Sequence, residues 1–224
     1  TISEPTLLTS TAVQVSAVNC FNGNDGSATV SPTGGTMPYA YAWGNGETAD
    51  TATNLSVGTN YITITDVNGC GYIDSVVINQ PSAPIVTSNT ILNNVLCNAD
   101  TSALAAASAV GGTSPYAFTW SNGANTDTAS FSAGTWYVTI TDANGCFELD
   151  SIIVTEPNAL VATIDSTNNI SCFGLTDGEA FASATGGTTP YSYAWNSAQT
   201  TASISGQSAG AYQITITDAN GCFD

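Results

Sequence analysis

The sequence predicts an all-β protein made of three tandem β-sandwich repeats, each about 76 residues long and each braced by one disulfide. Three kinds of landmark recur at this interval: Pro5, Pro81, Pro157; Gly34, Gly111, Gly186; and Cys70, Cys146, Cys222. A repeat of this length is too long for one solenoid turn and suits a small autonomous domain. We therefore expect repeats at residues 1–80, 81–156 and 157–224. Residues 1–4 are expected to end a preceding repeat, and the third repeat is expected to be truncated at its C-terminal strand.

Six or seven short strands are expected in each repeat. In "YITITD", Ile62 and Ile64 fall on one face and the two threonines fall on the other, because side chains alternate along a strand. "YVTITD" and "QITITD" repeat this pattern. The Ala-rich stretch 101–110 resembles a helix in composition, but its equivalents "GSATVSPT" and "GEAFASAT" alternate, so it is predicted to be a strand. Short strands separated by regular turn residues are typical of a β-sandwich.

The phrases "GGTMPYAYAW", "GGTSPYAFTW" and "GGTTPYSYAW" predict a corner followed by a core strand in each repeat. The glycine pair allows positive φ at the corner, the proline prevents ladder pairing at its own position, and the tryptophan is large enough to anchor a small core. "GNG" and "SNG" then predict hairpin turns in the first two repeats. Asn196-Ser197-Ala198 at the same place in the third repeat predicts a longer turn or another turn type.

The charge composition excludes several classes of partner. The chain has 17 acidic residues and no Lys, Arg or His, for a net charge of −17. Without basic residues nothing can neutralise phosphates, so nucleic acid and anionic membrane surfaces are excluded. Without His, the usual general base and the commonest transition-metal ligand are missing. No apolar run reaches the roughly 18 residues of a membrane span, so no membrane insertion is expected in this segment.

The cysteines predict disulfides. They fall in three pairs, one pair in each predicted repeat: Cys20 and Cys70, Cys97 and Cys146, Cys172 and Cys222. Two cysteines per repeat, 50, 49 and 50 residues apart, favour a bond inside each repeat and a location outside the cytoplasm. Such a bond would stabilise a repeat by roughly 4 kcal/mol on the chain-entropy model. The alternative pairs Cys70 with Cys97 and Cys146 with Cys172, which would staple neighbouring repeats together.

The combination of "GGTxPYxYxW" with "TDxNGC" near the end of each repeat resembles the SprB repeat of large secreted adhesins from gliding Bacteroidota. The resemblance covers essentially the full chain, three times. It implies an Ig-like sandwich, similar also to the PKD domain, within a very long cell-surface filament. It further implies a role in adhesion or in gliding motility.

The turns "TDVNGC", "TDANGC" and "TDANGC" contain candidate calcium ligands: Asp66, Asn68, Asp142, Asn144, Asp218 and Asn220. Alternating oxygen donors in a loop are typical of Ca²⁺ sites. The alternative is a hairpin turn whose aspartate caps backbone N–H groups and whose glycine has positive φ. A Ca²⁺ site takes six or more oxygens and each turn supplies only two such side chains, so the hairpin turn is favoured. No other cofactor is expected.

Five tripeptides place Asp before Ser or Thr and a small or aliphatic residue after it, and they resemble the O-glycosylation sequon of Bacteroidota. The resemblance implies acceptor hydroxyls at Thr51, Ser75, Thr128, Ser151 and Ser166. Glycans there would shield strand edges. The alternative is chance recurrence in a chain rich in Ser and Thr.

These observations together predict a non-catalytic, structural or adhesive stalk segment of a long extracellular surface filament, and no catalytic residue is predicted. A proline at every joint limits the freedom of the linkers. The expected partners are neighbouring repeats of the same chain, other filaments, surface polysaccharide or a substratum. The alternative is an array of carbohydrate- or calcium-binding modules appended to a secreted enzyme.

Overall fold

The structure, a computed structural model, describes residues 2–224, and this part of the chain consists of β-strands without any helix. The strands of the first repeat are β1 (Thr9–Ser16), β2 (Gly26–Thr33), β3 (Ala40–Trp43), β4 (Thr51–Leu55), β5 (Gly58–Thr65) and β6 (Gly71–Ile78). Those of the second are β7 (Val86–Asn93), β8 (Ala103–Val110), β9 (Ala117–Trp120), β10 (Thr128–Phe131), β11 (Gly134–Thr141) and β12 (Phe147–Val154). Those of the third are β13 (Val161–Asn168), β14 (Gly178–Thr185), β15 (Ser192–Trp195), β16 (Ser203–Gln207) and β17 (Ile214–Thr217).

Each repeat contains two small sheets, ordered in the first as β1-β2-β4 and β3-β5-β6. The second has β10-β8-β7 and β12-β11-β9, and the third has β13-β14-β16 and β15-β17. The prediction of three tandem Ig-like sandwiches is confirmed, and the Ala-rich stretch is the strand β8. The predicted disulfide inside each repeat is wrong, for a reason given below. The predicted boundaries after residues 80 and 156 stay predictions.

The chain divides into two compact units, of which the first comprises the described residues up to Ser88 together with Ser108–Phe118 and Thr139–Leu149. It contains the whole sandwich of the first repeat. Ile62 and Ile64 are fully buried, as the alternation of β5 predicts. They pack in one cluster with side chains from both sheets: Leu8, Val18, Ala28, Val30, Trp43, Ala52, Leu55, Val76 and Ile78. Burial between two sheets is what stabilises so short a set of strands.

The second unit comprises Asn89–Ala107, Thr119–Val138 and Asp150–Asp224. Its core in the third repeat is Ala180, Ala182, Trp195, Ile204 and Ile216. Within the same unit, Phe131 lies between two tryptophans, with ring centroids 4.9 Å from Trp120 and 5.3 Å from Trp136. Trp136 is half-buried, and its indole N–H donates to the carbonyl of Ser132 at 3.0 Å.

The glycine pair of each repeat turns the corner with positive φ, as predicted, and Gly34 and Gly35 have φ of 73° and 59°. An added Cβ at Gly34 would lie 2.0 Å from the carbonyl oxygen of Leu7, so only glycine fits. The Tyr39 hydroxyl closes the corner by donating to the Gly34 carbonyl at 2.5 Å. The following proline is preceded by a cis peptide bond in all three repeats.

The turn after the tryptophan has the same length in every repeat. In the first, Gly46 N–H donates to the Trp43 carbonyl at 2.9 Å; in the third, Ala198 N–H donates to the Trp195 carbonyl at 2.9 Å. The prediction of a longer or different turn in the third repeat is therefore wrong. Ala198 takes φ of 68° where Gly46 has 92°, so alanine accepts the left-handed conformation that usually selects glycine.

Candidate functional site at the junctions between repeats

A buried aspartate organises the turn that ends at the second cysteine of each repeat. In the first repeat the Asp66 carboxylate accepts backbone N–H groups from Thr36 at 3.0 Å and from Asn68 and Cys70 at 2.9 Å. Asp142 and its third-repeat equivalent accept the same three bonds at 2.8–3.0 Å. The turn therefore holds its cysteine and its asparagine in a fixed position at one end of the sandwich.

These hydrogen bonds favour the charged carboxylate. The pKa of Asp66 is lowered, mainly by the N–H of Cys70, because a donor stabilises the anion more than the neutral acid. The pKa of Asp218 is lowered as well. Burial is the largest single effect and would raise this pKa, but the backbone N–H groups of Thr188, Cys222, Asn220 and Gly221 together outweigh burial.

The candidate calcium ligands all lie in these three turns. Both carboxylate oxygens of each aspartate face backbone N–H groups, which is the geometry of the capped hairpin turn. Gly69, Gly145 and Gly221 have φ of 84–87°, as that alternative requires. Across residues 2–224 no three His, Cys, Asp or Glu side chains are grouped closely enough to hold a metal ion. Calcium binding at the turns stays a prediction.

The first junction joins the loop after β1 to the turn after β11, inside the first compact unit. Cys20 is bonded to Cys146, with an S–S distance of 2.03 Å and a Cα–Cα distance of 5.6 Å. Beside the disulfide, the Asn144 side-chain amide donates to the Asn19 carbonyl at 3.1 Å and to the Thr113 hydroxyl at 3.1 Å. Asn144, a candidate metal ligand, is thus a donor across the junction.

The second junction repeats this arrangement inside the second compact unit. Cys97 is bonded to Cys222, again with a Cα–Cα distance of 5.6 Å. The Asn220 side-chain amide donates to the Leu96 carbonyl at 3.0 Å and to the Thr188 hydroxyl at 3.0 Å. Both junctions are therefore built from equivalent groups: a disulfide and an asparagine amide that donates to the carbonyl of the residue before the partner cysteine.

The residue before each joint proline is a further element of the junction. Gln80 Oε1 accepts the Asn22 N–H at 2.8 Å, and Glu156 Oε2 accepts the Ala99 N–H at 2.6 Å. Both donors lie in the cysteine loop and have positive φ, 58° for Asn22 and 61° for Ala99. The sequence analysis identified the joints by their proline but missed these side-chain bonds. The Gln or Glu immediately before each joint proline is the feature of the sequence that could have predicted them.

The pairing expected inside each repeat is wrong, because the two cysteines of one repeat lie at opposite ends of its sandwich. In the first repeat, Val57 N–H donates to the Gly23 carbonyl, so the Cys20 loop lies beside the start of β5. Cys70 follows the end of β5. A strand of eight residues spans about 25 Å, whereas the Cα atoms of a disulfide lie within about 7 Å.

Each bond instead joins the first cysteine of one repeat to the second cysteine of the next. The alternative pairing of Cys70 with Cys97 and of Cys146 with Cys172 is wrong as well, since Cys97 and Cys146 have other partners. Cys70 and Cys172 are free thiols and are exposed.

A cleft of about 440 Å³ opens in the third repeat, lined in part by Gly178, Trp195, Ile204 and Tyr212. In the first repeat Gly26, the equivalent of Gly178, is covered by Ile78: an added Cβ would lie 2.4 Å from its Cγ2. The cleft therefore occupies the place that β6 side chains fill in the first repeat. In the third repeat, the bridge between Thr217 and Phe223 corresponds to the pairing of β6 with β5 in the first repeat.

The candidate glycosylation residues all lie on strands. The residues concerned are Thr51 on β4, Ser75 on β6, Thr128 on β10, Ser151 on β12 and Ser166 on β13. Four of them are exposed, and Thr128 is half-buried. The Thr51 hydroxyl donates to the Thr29 hydroxyl at 3.1 Å. Glycosylation at these positions stays a prediction.

The family model described as the SprB repeat matches the chain three times, at residues 12–48, 89–125 and 164–200. Each match contains the cysteine loop, the glycine corner and the tryptophan strand. No curated protein matches the chain. Nothing in residues 2–224 forms a helix long and apolar enough to cross a membrane.

Solved structures that are similar to this chain in fold include parts of a bacteriophage capsid protein and of a large adhesion protein, and murine CEACAM1b. The three N-terminal domains of the bacteriophage RB49 highly immunogenic outer capsid protein are 11% identical over 97% of this chain and 85% of that chain, with a TM-score of 0.40. Murine CEACAM1b is 13% identical over 66% and 100%, with a TM-score of 0.27. A tetra-tandem repeat from the extending region of a large adhesion protein is 14% identical over 96% and 71%, with a TM-score of 0.26. At these identities and scores the likeness concerns the fold and carries no argument about function.

Proposed function

Because this chain is a series of three SprB repeats, we propose that it is a non-catalytic segment of the stalk of a long extracellular filament, used in adhesion or in gliding over surfaces. The observation that carries the proposal is the pair of disulfides that join successive repeats. A disulfide at every joint, in addition to the backbone, limits how far a stalk under tension can be stretched, and disulfides form and persist mainly in oxidising environments outside the cytoplasm.

The disulfides limit how far the chain can be stretched. The backbone between Cys20 and Cys222 has 202 residues, from 222 − 20, and fully extended it would span roughly 700 Å. With both bonds intact, the shortest covalent path crosses from Cys20 to Cys146, returns 49 residues to Cys97 and crosses to Cys222. That path spans only about 170 Å. Tension is therefore carried by the disulfides before the repeats are fully unravelled.

The charge composition supports the same role. With 17 acidic and no basic residues, neighbouring filaments repel one another over about 10 Å at 0.1 M salt. Apart from neighbouring repeats, which disulfides hold in place, the partners proposed are therefore uncharged: surface polysaccharide or a neutral substratum.

Immunogold electron microscopy of source cells, with an antibody against residues 2–224, tests the proposal. Gold along filaments outside the cell supports it. Gold confined to the cytoplasm, or to isolated secreted globules, overturns it. An intact-mass measurement of the native protein, compared with the mass of the bare chain, tests glycosylation separately.

The alternative, an array of carbohydrate- or calcium-binding modules, has no comparable observation in its favour. The cleft beside Gly178 takes the place of core side chains of β6, and the turn aspartates already accept backbone N–H groups. Calorimetry with millimolar Ca²⁺ and binding to a glycan array separate the two functions. Saturable heat with a rise in melting temperature would favour the binding array.

A further inference from the structure

The turn around Cys70 has the same hydrogen bonds as the turns that form the two junctions. The backbone N–H of Cys70 donates to Asp66 Oδ1 at 2.9 Å, as the equivalent cysteines Cys146 and Cys222 do at 3.0 and 2.9 Å to their own aspartates. Those two are disulfide-bonded, whereas Cys70 is free and exposed. The turn around Cys70 is therefore folded for the same bond without its partner.

The loop around Cys172 resembles the cysteine loop of the first junction. It is closed as the Cys20 loop is: Ser171 N–H donates to Asp177 Oδ1 at 3.1 Å, and Asn19 N–H donates to Asp25 Oδ1 at 3.0 Å. The residue after each cysteine is phenylalanine. Phe21 is half-buried, whereas Phe173 is completely exposed, at 106%.

We propose that the turn at residues 66–70 of one copy of the chain binds the loop at residues 171–177 of another copy. The copies then associate head to tail, with Cys172 of one copy bonded to Cys70 of the next. The occupant of each surface is a second copy, because the complementary half of the junction is present on the same molecule. The two junctions inside the chain are the template: first cysteine of one repeat, second cysteine of the following repeat. In a longer chain of such repeats, an adjoining repeat fills the same place.

The template also identifies a hydrogen bond. Asn144 and Asn220 donate to the carbonyl of the residue before the partner cysteine. Asn68 is their equivalent in the first repeat, and Ser171 precedes Cys172. The Asn68 amide of one copy therefore donates to the Ser171 carbonyl of the other.

The association is directional. The two surfaces differ, so the interface is heterologous, and each added copy leaves one surface of each kind open for growth. Each copy carries a net charge of −17, so the copies repel one another and the rate of linkage rises with salt.

The covalent step is a thiol–disulfide exchange. The two thiols and one oxidised glutathione give the Cys70–Cys172 disulfide and two reduced glutathione molecules. A thiolate attacks glutathione disulfide, and the second thiolate displaces glutathione from the mixed disulfide. The protein thiols lose two electrons and two protons, and glutathione takes up both.

Two single variants of the full chain test the proposal. Cys70→Ser retains the free Cys172, and Cys172→Ser retains the free Cys70. One is labelled with ¹⁵N, and the two are mixed in a glutathione redox buffer. We expect a disulfide-linked dimer with one copy of each variant, in about twentyfold excess over either symmetrical dimer where random pairing gives about twofold, and this remaining tenfold preference is equivalent to about 1.4 kcal/mol. The unsubstituted chain should form a ladder of multimers.

Mixed dimers in only the statistical proportion would overturn the proposal, because they would mean random collision of exposed thiols. Adding Asn68→Ala to the Cys172→Ser variant should reduce the excess, while Asn45→Ala, on an exposed turn elsewhere in the same repeat, should not. An excess that Asn68→Ala leaves unchanged would overturn the junction geometry. The experiment uses purified chain alone, so its failure leaves the proposed stalk function to be judged by microscopy. Peptide mapping needs a protease specific for acidic residues, since the chain has no Lys or Arg.

Discussion

Replacing Cys20 and Cys146 together by serine should lower the stability of the protein substantially. The disulfide closes a loop with a sequence separation of 126 residues, for which the chain-entropy model gives a stabilisation of about 5 kcal/mol. In a folded protein of this size, a loss of about 5 kcal/mol in the free energy of unfolding corresponds to a fall in melting temperature of about 10–20 °C. Serine in both positions avoids leaving a new reactive thiol.

The matched control is Cys70→Ser combined with Cys172→Ser. Neither thiol is bonded within the chain, so the control should melt within about 1 °C of the unsubstituted protein. Both variants are measured as monomers in the oxidised state, by circular dichroism near 218 nm during heating, at matched concentration.

The result that refutes this reasoning is equally clear. If Cys20 were bonded to Cys70, the control would destabilise the protein as strongly as the test variant, and reduction would add little further effect. If the test variant melted with the unsubstituted protein, the bond between successive repeats would contribute nothing to stability.

Three further predictions follow from the same structure. Gly34→Ala places a Cβ 2.0 Å from a carbonyl oxygen, whereas Gly46 also has positive φ but an added Cβ there would have no atom within 4 Å. Gly34→Ala should therefore lower the free energy of unfolding by about 1–3 kcal/mol more than Gly46→Ala does. Urea unfolding of both variants measures this difference, and equal losses would contradict the prediction. Because the pKa of Asp66 is lowered, its contribution is complete above the unfolded-state pKa and is lost as pH falls through the folded-state pKa. Asp66→Asn should therefore cost stability at pH 7 and progressively less below about pH 4, and a cost that grows with acidity in melts from pH 7 to pH 2 would contradict it. A peptide of residues 73–80 omits the two positions that Phe223 and Asp224 already occupy beside β17. It should add as a strand beside residues 210–215 and raise the melting temperature saturably, while the same peptide with its two buried aliphatic residues, Val76 and Ile78, changed to serine should not; an equal effect of the two peptides would contradict the prediction.

Much of the fold could be predicted because its causes are local. Alternation places Ile62 and Ile64 on one face of β5, and a glycine pair is needed at Gly34 and Gly35 whatever lies around it. Ala198 shows the limit of local reasoning. Nothing in the sequence around Ala198 predicts a residue with positive φ. The turn nevertheless has the same geometry as in the other repeats, because the backbone hydrogen bonds on both sides of it are the same.

The cysteine pairing could not be read from spacing because repetition makes two patterns equally periodic. Cys20 is 50 residues from Cys70 and 126 from Cys146, a difference of one 76-residue period. Strand direction decides between them, since β5 carries the chain from the Cys20 loop to the opposite end of the sandwich. The role of Asn144 and Asn220 across the junctions could not be predicted for a related reason: the carbonyls to which they donate, those of Asn19 and Leu96, lie more than one period away in the sequence.

The overlap of the two disulfides makes the molecule tolerant of a cut backbone. A single peptide bond broken anywhere from Cys20 to Cys222 leaves both pieces held together, because every such position lies inside at least one of the two closed loops. With bonds confined to single repeats, a cut between Cys70 and Cys97 would release everything beyond it. A fibre exposed to proteases outside the cell would in this way keep its length after damage that severs an ordinary chain of domains.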